Sequence, residues 1–456
     1  MQALDALLRR STPTAAHDSH ECNFDKPKCD DDTRVGIIGE IMERLRDRTD
    51  KRMVCLTGSA GSGKSAIAQS ICQQTKLEGS LAGSFFFSSR DPERDHARSF
   101  IPTLACQIAE KSPAAKRQIL REVDNYPTIF DKAIDTQLDT LLINPLQAAA
   151  NLLPHVIVID GLDECKSEDE RGLVLSALHK LQRADNINMR VFLTSRPEHP
   201  IREALSPSGT FHAEAYHLVL NEYDATQDIT GYLRRQLGRI GQDMGQPDWI
   251  SDETLKQLVA DSDGLWIYAS TLVKFLAERR GLSHGKRLTL VLDRTSTGMA
   301  SRATIDSLYY TIVTSAQTRY EAALGQQHNC VESDFMTRLF SVHWARGFAG
   351  ATVRAVKEGL TTYGVDLEAF LSWEEGDLKR VFEDLHSVVQ IQGQPRAFFV
   401  TPYHKSFDDY LDRRFADGGL TLQRGIKAYI CTQLLTTLGN ILSGDPGRSS
   451  IAFDRV

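Results

Sequence analysis

The run Gly58-Ser59-Ala60-Gly61-Ser62-Gly63-Lys64-Ser65 satisfies G-x-x-x-x-G-K-S/T at every fixed position and lies between a strand pattern and a helix pattern. Arg52–Thr57 reads as a short buried strand, and Ala66–Ile71 reads as the opening of an amphipathic helix. The glycines let the backbone wrap N–H groups around a phosphate, and the helix N-terminus adds partial positive charge at the same place. In such a loop Lys64 reaches the β- and γ-phosphates and Ser65 holds Mg2+. Gly58 through Ala66 are therefore the expected nucleotide-binding segment. A glycine-rich turn that matches by accident is the alternative, and the flanking strand and helix weigh against it.

The rest of the chain repeats the strand and helix alternation. Val35–Leu45 carries apolar residues at helical spacing (Val35, Ile38, Ile41, Met42, Leu45), and further strands are expected at Leu81–Phe87, His155–Asp160, Arg190–Ser195 and Tyr216–Leu220. Three helical stretches fill about 97–150. Alternation of this kind calls for an α/β fold with a parallel sheet covered on both faces. Beyond Asp224 the pattern is helical until Val388–Ile391 and Ala397–Val400, which flank the turn Gln392-Gly393-Gln394-Pro395 and outline a winged helix. The expected organisation is a flexible N-terminal arm (1–33), a P-loop domain (34–222), a helical domain (223–300), a winged-helix-like domain (301–415) and a C-terminal helical segment or tail (416–456).

Composition narrows the partners. A chain of 456 residues suggests about three domains at roughly 150 residues each. Its net charge of −7 is built from interspersed acids and bases, so neither nucleic acid nor an anionic membrane surface is an expected partner. No apolar run approaches the roughly 20 residues of a membrane helix, and Met1–Arg10 lacks the core of a secretory signal. A cytoplasmic protein is expected. Cys55, Cys72 and Cys106 fall in apolar patterns and read as small buried hydrophobes. His17, His20, Cys22 and Cys29 match no standard zinc spacing and are assigned to the arm.

A P-loop ATPase needs a carboxylate at the end of a neighbouring strand to hold Mg2+ and commonly a second acid to orient water. Val156–Ile159 ends in Asp160, the expected metal-side carboxylate, and Gly161-Leu162-Asp163-Glu164 follows. Glu164 is the first candidate for activating water and Asp163 the second; the plainer alternative makes these acids an N-cap and first helical turn. Arg196 follows Arg190–Ser195, the strand expected between the P-loop and Mg2+ strands, and is a candidate γ-phosphate sensor or else a solvated surface arginine. A GTPase would show Asn-Lys-x-Asp, whereas Asn221-Glu222-Tyr223-Asp224 lacks the lysine, so the base is expected to be adenine.

Taken with Phe24–Cys29, Thr33-Arg34, Ser84–Pro92, Ile101–Ala105, Val158–Cys165, Leu193–Glu198, Gly264–Ala269 and His404–Leu411, the sequence resembles the NACHT family of signal-transduction (STAND) ATPases, particularly the nephrocystin-type NACHT proteins of filamentous fungi. That resemblance implies an ADP-bound closed state held by a winged-helix histidine touching the β-phosphate. His404 stands at the matching position; as a residue alone it reads first as packed beside Tyr403 and Phe407, and the resemblance reverses that preference. The resemblance further implies exchange of ADP for ATP, self-association or association with related NACHT proteins, slow hydrolysis, and roles in non-self recognition or regulated cell death. Trp266 stands where many relatives carry a proline near the adenine. Two other functions remain open on the sequence: a non-catalytic nucleotide-binding module acting on full-length relatives, and a P-loop kinase for a small metabolite.

Overall fold

Strands buried on both faces carry continuous apolar runs, and four of the runs in this chain are of that kind. In the computed structural model, which describes residues 2–19, 28–30, 32–47, 51–149, 155–295, 304–324, 335–345, 367–392 and 399–442, they become β1 (Met53–Thr57), β2 (Leu81–Phe86), β3 (Val156–Asp160) and β4 (Arg190–Ser195). With β5 (Ala215–Val219) they form a parallel sheet in the order β2-β3-β4-β1-β5. Alternate residues feed two cores. Met53, Cys55, Ile157, Ile159, Val191 and Leu193 pack on one face, and Val54, Leu56, Val156, Val158 and Phe192 on the other. Each such side chain, taken fully out of water, stabilises the sheet by about 1.5–3 kcal/mol before entropy is counted.

The longer helices of this first unit (Met1–Asp228) are α1 (Gln2–Arg10), α2 (Val35–Arg46), α3 (Lys64–Leu77), α4 (Phe100–Lys111), α5 (Pro113–Asn125) and α6 (Glu168–Arg183). Helix α3 covers the second core through Ile67, Ala68, Ile71 and Cys72. Helix α4 covers the first, where Phe100 meets Phe85 edge-on at a centroid distance of 5.4 Å.

Residues 2–19 differ from the flexible arm expected of them. Leu7 and Ala15 are completely buried in the first core, and α1 packs on α4 and α5. Thr12 N donates to Thr103 Oγ1 at 2.8 Å, His17 N to Ser84 Oγ at 2.9 Å, and Gln69 Nε2 to the His17 carbonyl at 2.8 Å. So few apolar residues anchor this segment that no periodicity announces it; its order comes from tertiary burial. The His17 ring lies beside Ser84 Oγ at 3.2 Å, His20 and Cys22 lie outside the described residues, and among the described residues no group of three or more His, Cys, Asp and Glu side chains is arranged to hold a metal.

Strand β2 is an edge, and side chains of α4 occupy its open backbone. Gln107 Oε1 accepts from Ser84 N at 2.9 Å while its Nε2 donates to Ser84 O at 2.8 Å, and Lys111 Nζ donates to the carbonyls of Leu81 and Ala82.

The second unit (Ile229–Val456) is mostly helical. It includes α7 (Thr226–Asp243, counted here although its first turn belongs to the first unit), α8 (Asp252–Ser262), α9 (Trp266–Ala277), α10 (His284–Thr295) and α11 (Thr304–Leu324). An antiparallel pair, β6 (Val389–Gln392) and β7 (Phe399–Pro402), precedes α12 (Lys405–Asp417) and α13 (Gly419–Leu442). Helix α11 packs on both α9 and α12, so the stretches expected as separate helical and winged-helix-like domains form one unit. No helix of the described residues is long and apolar enough to cross a membrane.

Candidate nucleotide-binding site

The loop between β1 and α3 needs backbone angles that side chains resist. Gly61 and Gly63 have φ of 76° and 99°, in the left-handed region that favours glycine. Gly63 caps α3, so the helix begins at Lys64 with its N–H groups at the loop. Ser62 Oγ closes the turn on the Ser59 carbonyl at 2.9 Å.

Lys64 is buried, and its ammonium donates to the carbonyls of Gly58 and Ser59, both at 2.8 Å. Burial pushes this ammonium below its ordinary pKa; Asp163 opposes that, Arg196 adds to it, and Asp160 and Glu164 oppose it. The five charged groups singled out from sequence are thus electrostatic neighbours. They come together because β4 lies between β1 and β3, so the three strand ends face one place.

At the end of β3, Asp160 is buried and its Oδ1 accepts from Thr194 Oγ1 at 2.6 Å, while Thr194 Oγ1 accepts from Gly161 N at 3.0 Å. Asp163 is engaged with Arg196 twice: Oδ1 accepts from Arg196 N at 3.0 Å, and Oδ2 lies 3.1 Å from Arg196 Nε. Arg196 is therefore fixed to the acid-bearing turn rather than extended into solvent. Glu164, half-buried, accepts from Ser89 N at 3.1 Å through Oε2. Ser65 is half-buried on the first turn of α3. A hydroxyl and a carboxylate are the hard oxygen donors Mg2+ prefers, with water filling its remaining positions, so this pair fits that ion.

Two contacts hold the loop that the sequence did not flag. Asn221 Oδ1 accepts from Ser59 N at 2.9 Å, and its Nδ2 donates to Ser59 Oγ at 3.0 Å. Arg34, buried with φ of 58°, donates through Nη2 to the Ser62 carbonyl at 3.2 Å, and its own N–H donates to Asp228 at 2.8 Å. Burial lowers the Arg34 pKa, and Asp228, Cys29 and Asp224 counter it. The cue to Asn221 is its place two residues beyond β5; Arg34 entered only through the lead-in Thr33-Arg34 that carries the family resemblance, with no role attached to it.

His404 belongs to the second unit, where it caps α12. Its Nδ1 accepts from Ser406 N at 3.1 Å and lies 2.7 Å from Ser406 Oγ, which in turn lies 2.8 Å from Tyr309 OH. Trp266 meets Tyr232 edge-on at 5.6 Å, and its indole N–H is buried without an acceptor among the described residues.

No curated protein matches the chain. Among solved structures, one of Drosophila ORC bound to DNA is 13% identical with a TM-score of 0.32, covering 82% of this chain and 93% of that one. The Bacillus subtilis DNA clamp loader delta protein is 11% identical with a TM-score of 0.23, covering 87% and 99%. At these scores neither likeness bears on the site. Residues 39–196 match the family model described as nephrocystin 3, N-terminal, so over that stretch, from within α2 through the P-loop to Arg196, the nephrocystin-type part of the resemblance read from the sequence holds.

Proposed function

We propose that this chain binds ATP and ADP with Mg2+ at the P-loop and acts as a nucleotide-controlled conformational and assembly switch of the NACHT type, with slow hydrolysis. The observation that carries this reading is the gathering of Lys64, Asp160, Asp163, Glu164 and Arg196 about the N-terminus of α3. Lys64 leaves the Gly58 and Ser59 carbonyls for the β- and γ-phosphates, and the loop amides take the remaining phosphate oxygens. Ser65 and Asp160 hold Mg2+, which when bound neutralises charge between the β- and γ-phosphates. Thr194 keeps Asp160 in place. Arg196, oriented by Asp163, reports the γ-phosphate and makes the triphosphate distinguishable from the diphosphate. Glu164 orients the attacking water. His404 is proposed as the second unit's ligand to the diphosphate.

The test is to denature purified protein, identify what it releases, and repeat with Lys64→Ala and His404→Ala. Bound ADP, its loss in the lysine variant, and easier exchange or larger assemblies in the histidine variant are expected. Wild-type protein that is empty and has no micromolar affinity for ATP or ADP would sink the proposal. Bound ADP with no turnover over hours and no change of assembly with ATP would favour the passive module, and turnover dependent on an added metabolite would favour the kinase.

A further inference from the structure

We infer that the main-chain amide of Ser89 positions Glu164 for its work on water, which makes the loop 88–97 a positioning element of the site; the inference rests on the role given to Glu164 above. The Ser89 amide donates to Glu164 Oε2 at 3.1 Å. The turn that presents this amide is braced internally. Ser88 N donates to Arg94 O at 3.0 Å, Asp91 N to Ser88 O at 3.1 Å and Arg94 N to Asp91 O at 2.9 Å. The Asp91 carboxylate takes Glu93 N at 2.9 Å and Arg94 Nε at 2.6 Å, and Arg94 is buried.

The same loop is fastened to the chain just beyond Glu164. Lys166 N donates to Asp95 O at 2.8 Å, Lys166 Nζ pairs with Asp95 Oδ2 at 2.7 Å, and Ala97 N donates to Glu170 Oε2 at 2.8 Å. Glu164 is thus held between a donor that cannot rotate away and a downstream segment tied to the loop supplying that donor. The carboxylate is thereby kept in one place, where it can orient water.

Deuterium exchange of the Ser89 amide is measured in the wild type, Glu164→Ala and Asp91→Ala, and kcat and KM for ATP turnover in the wild type, Asp91→Ala, Ser89→Pro and Glu164→Gln. Protection of that amide in the wild type and its loss in Glu164→Ala are expected. In Asp91→Ala and Ser89→Pro, kcat falls about tenfold, while KM for ATP and the affinity for ADP stay within about twofold of wild type. Equal exchange in wild type and Glu164→Ala overturns the inference. So do loop variants with wild-type kcat while Glu164→Gln is inactive, and in that case the nucleotide reading survives. Wild-type protein that never turns over ATP, or whose turnover is indifferent to Glu164→Gln, removes the role given to Glu164 and this one with it, while nucleotide binding is judged separately by the ADP that the denatured protein releases.

Discussion

A methyl group placed on Gly58 would stand 2.9 Å from Ser62 Oγ and 3.0 Å from Leu220 Cβ. The loop packs there with no slack, so Gly58→Ala is expected to cost about 1–3 kcal/mol and to weaken nucleotide binding, as read by thermal unfolding with and without ADP. Thr194→Val tests the other strand end. It removes the donor to Asp160 and the acceptor for Gly161 N, two buried partners, and a loss of about 1–3 kcal/mol is expected in urea unfolding together with a weaker Mg2+ dependence of nucleotide binding. Residues of this scale were legible where chemistry dictates the letter. The letters of the P-loop, of Asp160 and of Glu164 follow from what phosphate, Mg2+ and water would require, and the structure brings both acids close enough to act on Lys64. Asn221, Arg34, Thr194 and Ser89 were not legible, because they serve those residues instead of the ligand, and Ser89 does so through a backbone amide that every residue but proline possesses.

Among the elements, the segment joining α1 to the sheet carries a titration. Burial holds the His17 imidazole down at about 4 against an ordinary 6.5; Asp18 opposes the shift, while Lys76 and Lys111 add to it. The folded chain keeps His17 neutral where the unfolded chain protonates it, so the unfolded state binds more protons between those values. Its stabilising contribution is whole above pH 6.5 and is lost as pH falls towards 4, an effect of about 3 kcal/mol. Urea midpoints across that window should fall with pH in the wild type and flatten in His17→Asn. Strands β1 to β4 were readable because parallel strands buried on both faces leave unbroken apolar runs. The segment 2–19 was not readable: Ala3, Leu7 and Ala15 amid polar neighbours look the same whether a chain is docked or loose, and only Thr103, Ser84 and Gln69, distant in sequence, decide it.

For the whole molecule, the proposed switch predicts that light scattering will report a larger mass with ATP than with ADP, and that Lys64→Ala will show one mass with either. Helical periodicity gave the second unit's elements but not their grouping, because an apolar face does not name the face it meets; α11 joins stretches assigned to different domains. One edge of the first unit's sheet, at β2, is closed by side chains. An open strand edge is a template on which another chain can add a strand and continue adding. Here the Gln107 carboxamide, bonded to both the N–H and the C=O of Ser84, imitates the missing neighbour, and Lys111 blocks the next carbonyls. Gln107→Ala with Lys111→Ala should therefore promote sheet-rich aggregation without touching the P-loop, because in the native chain the β2 edge is already answered from within.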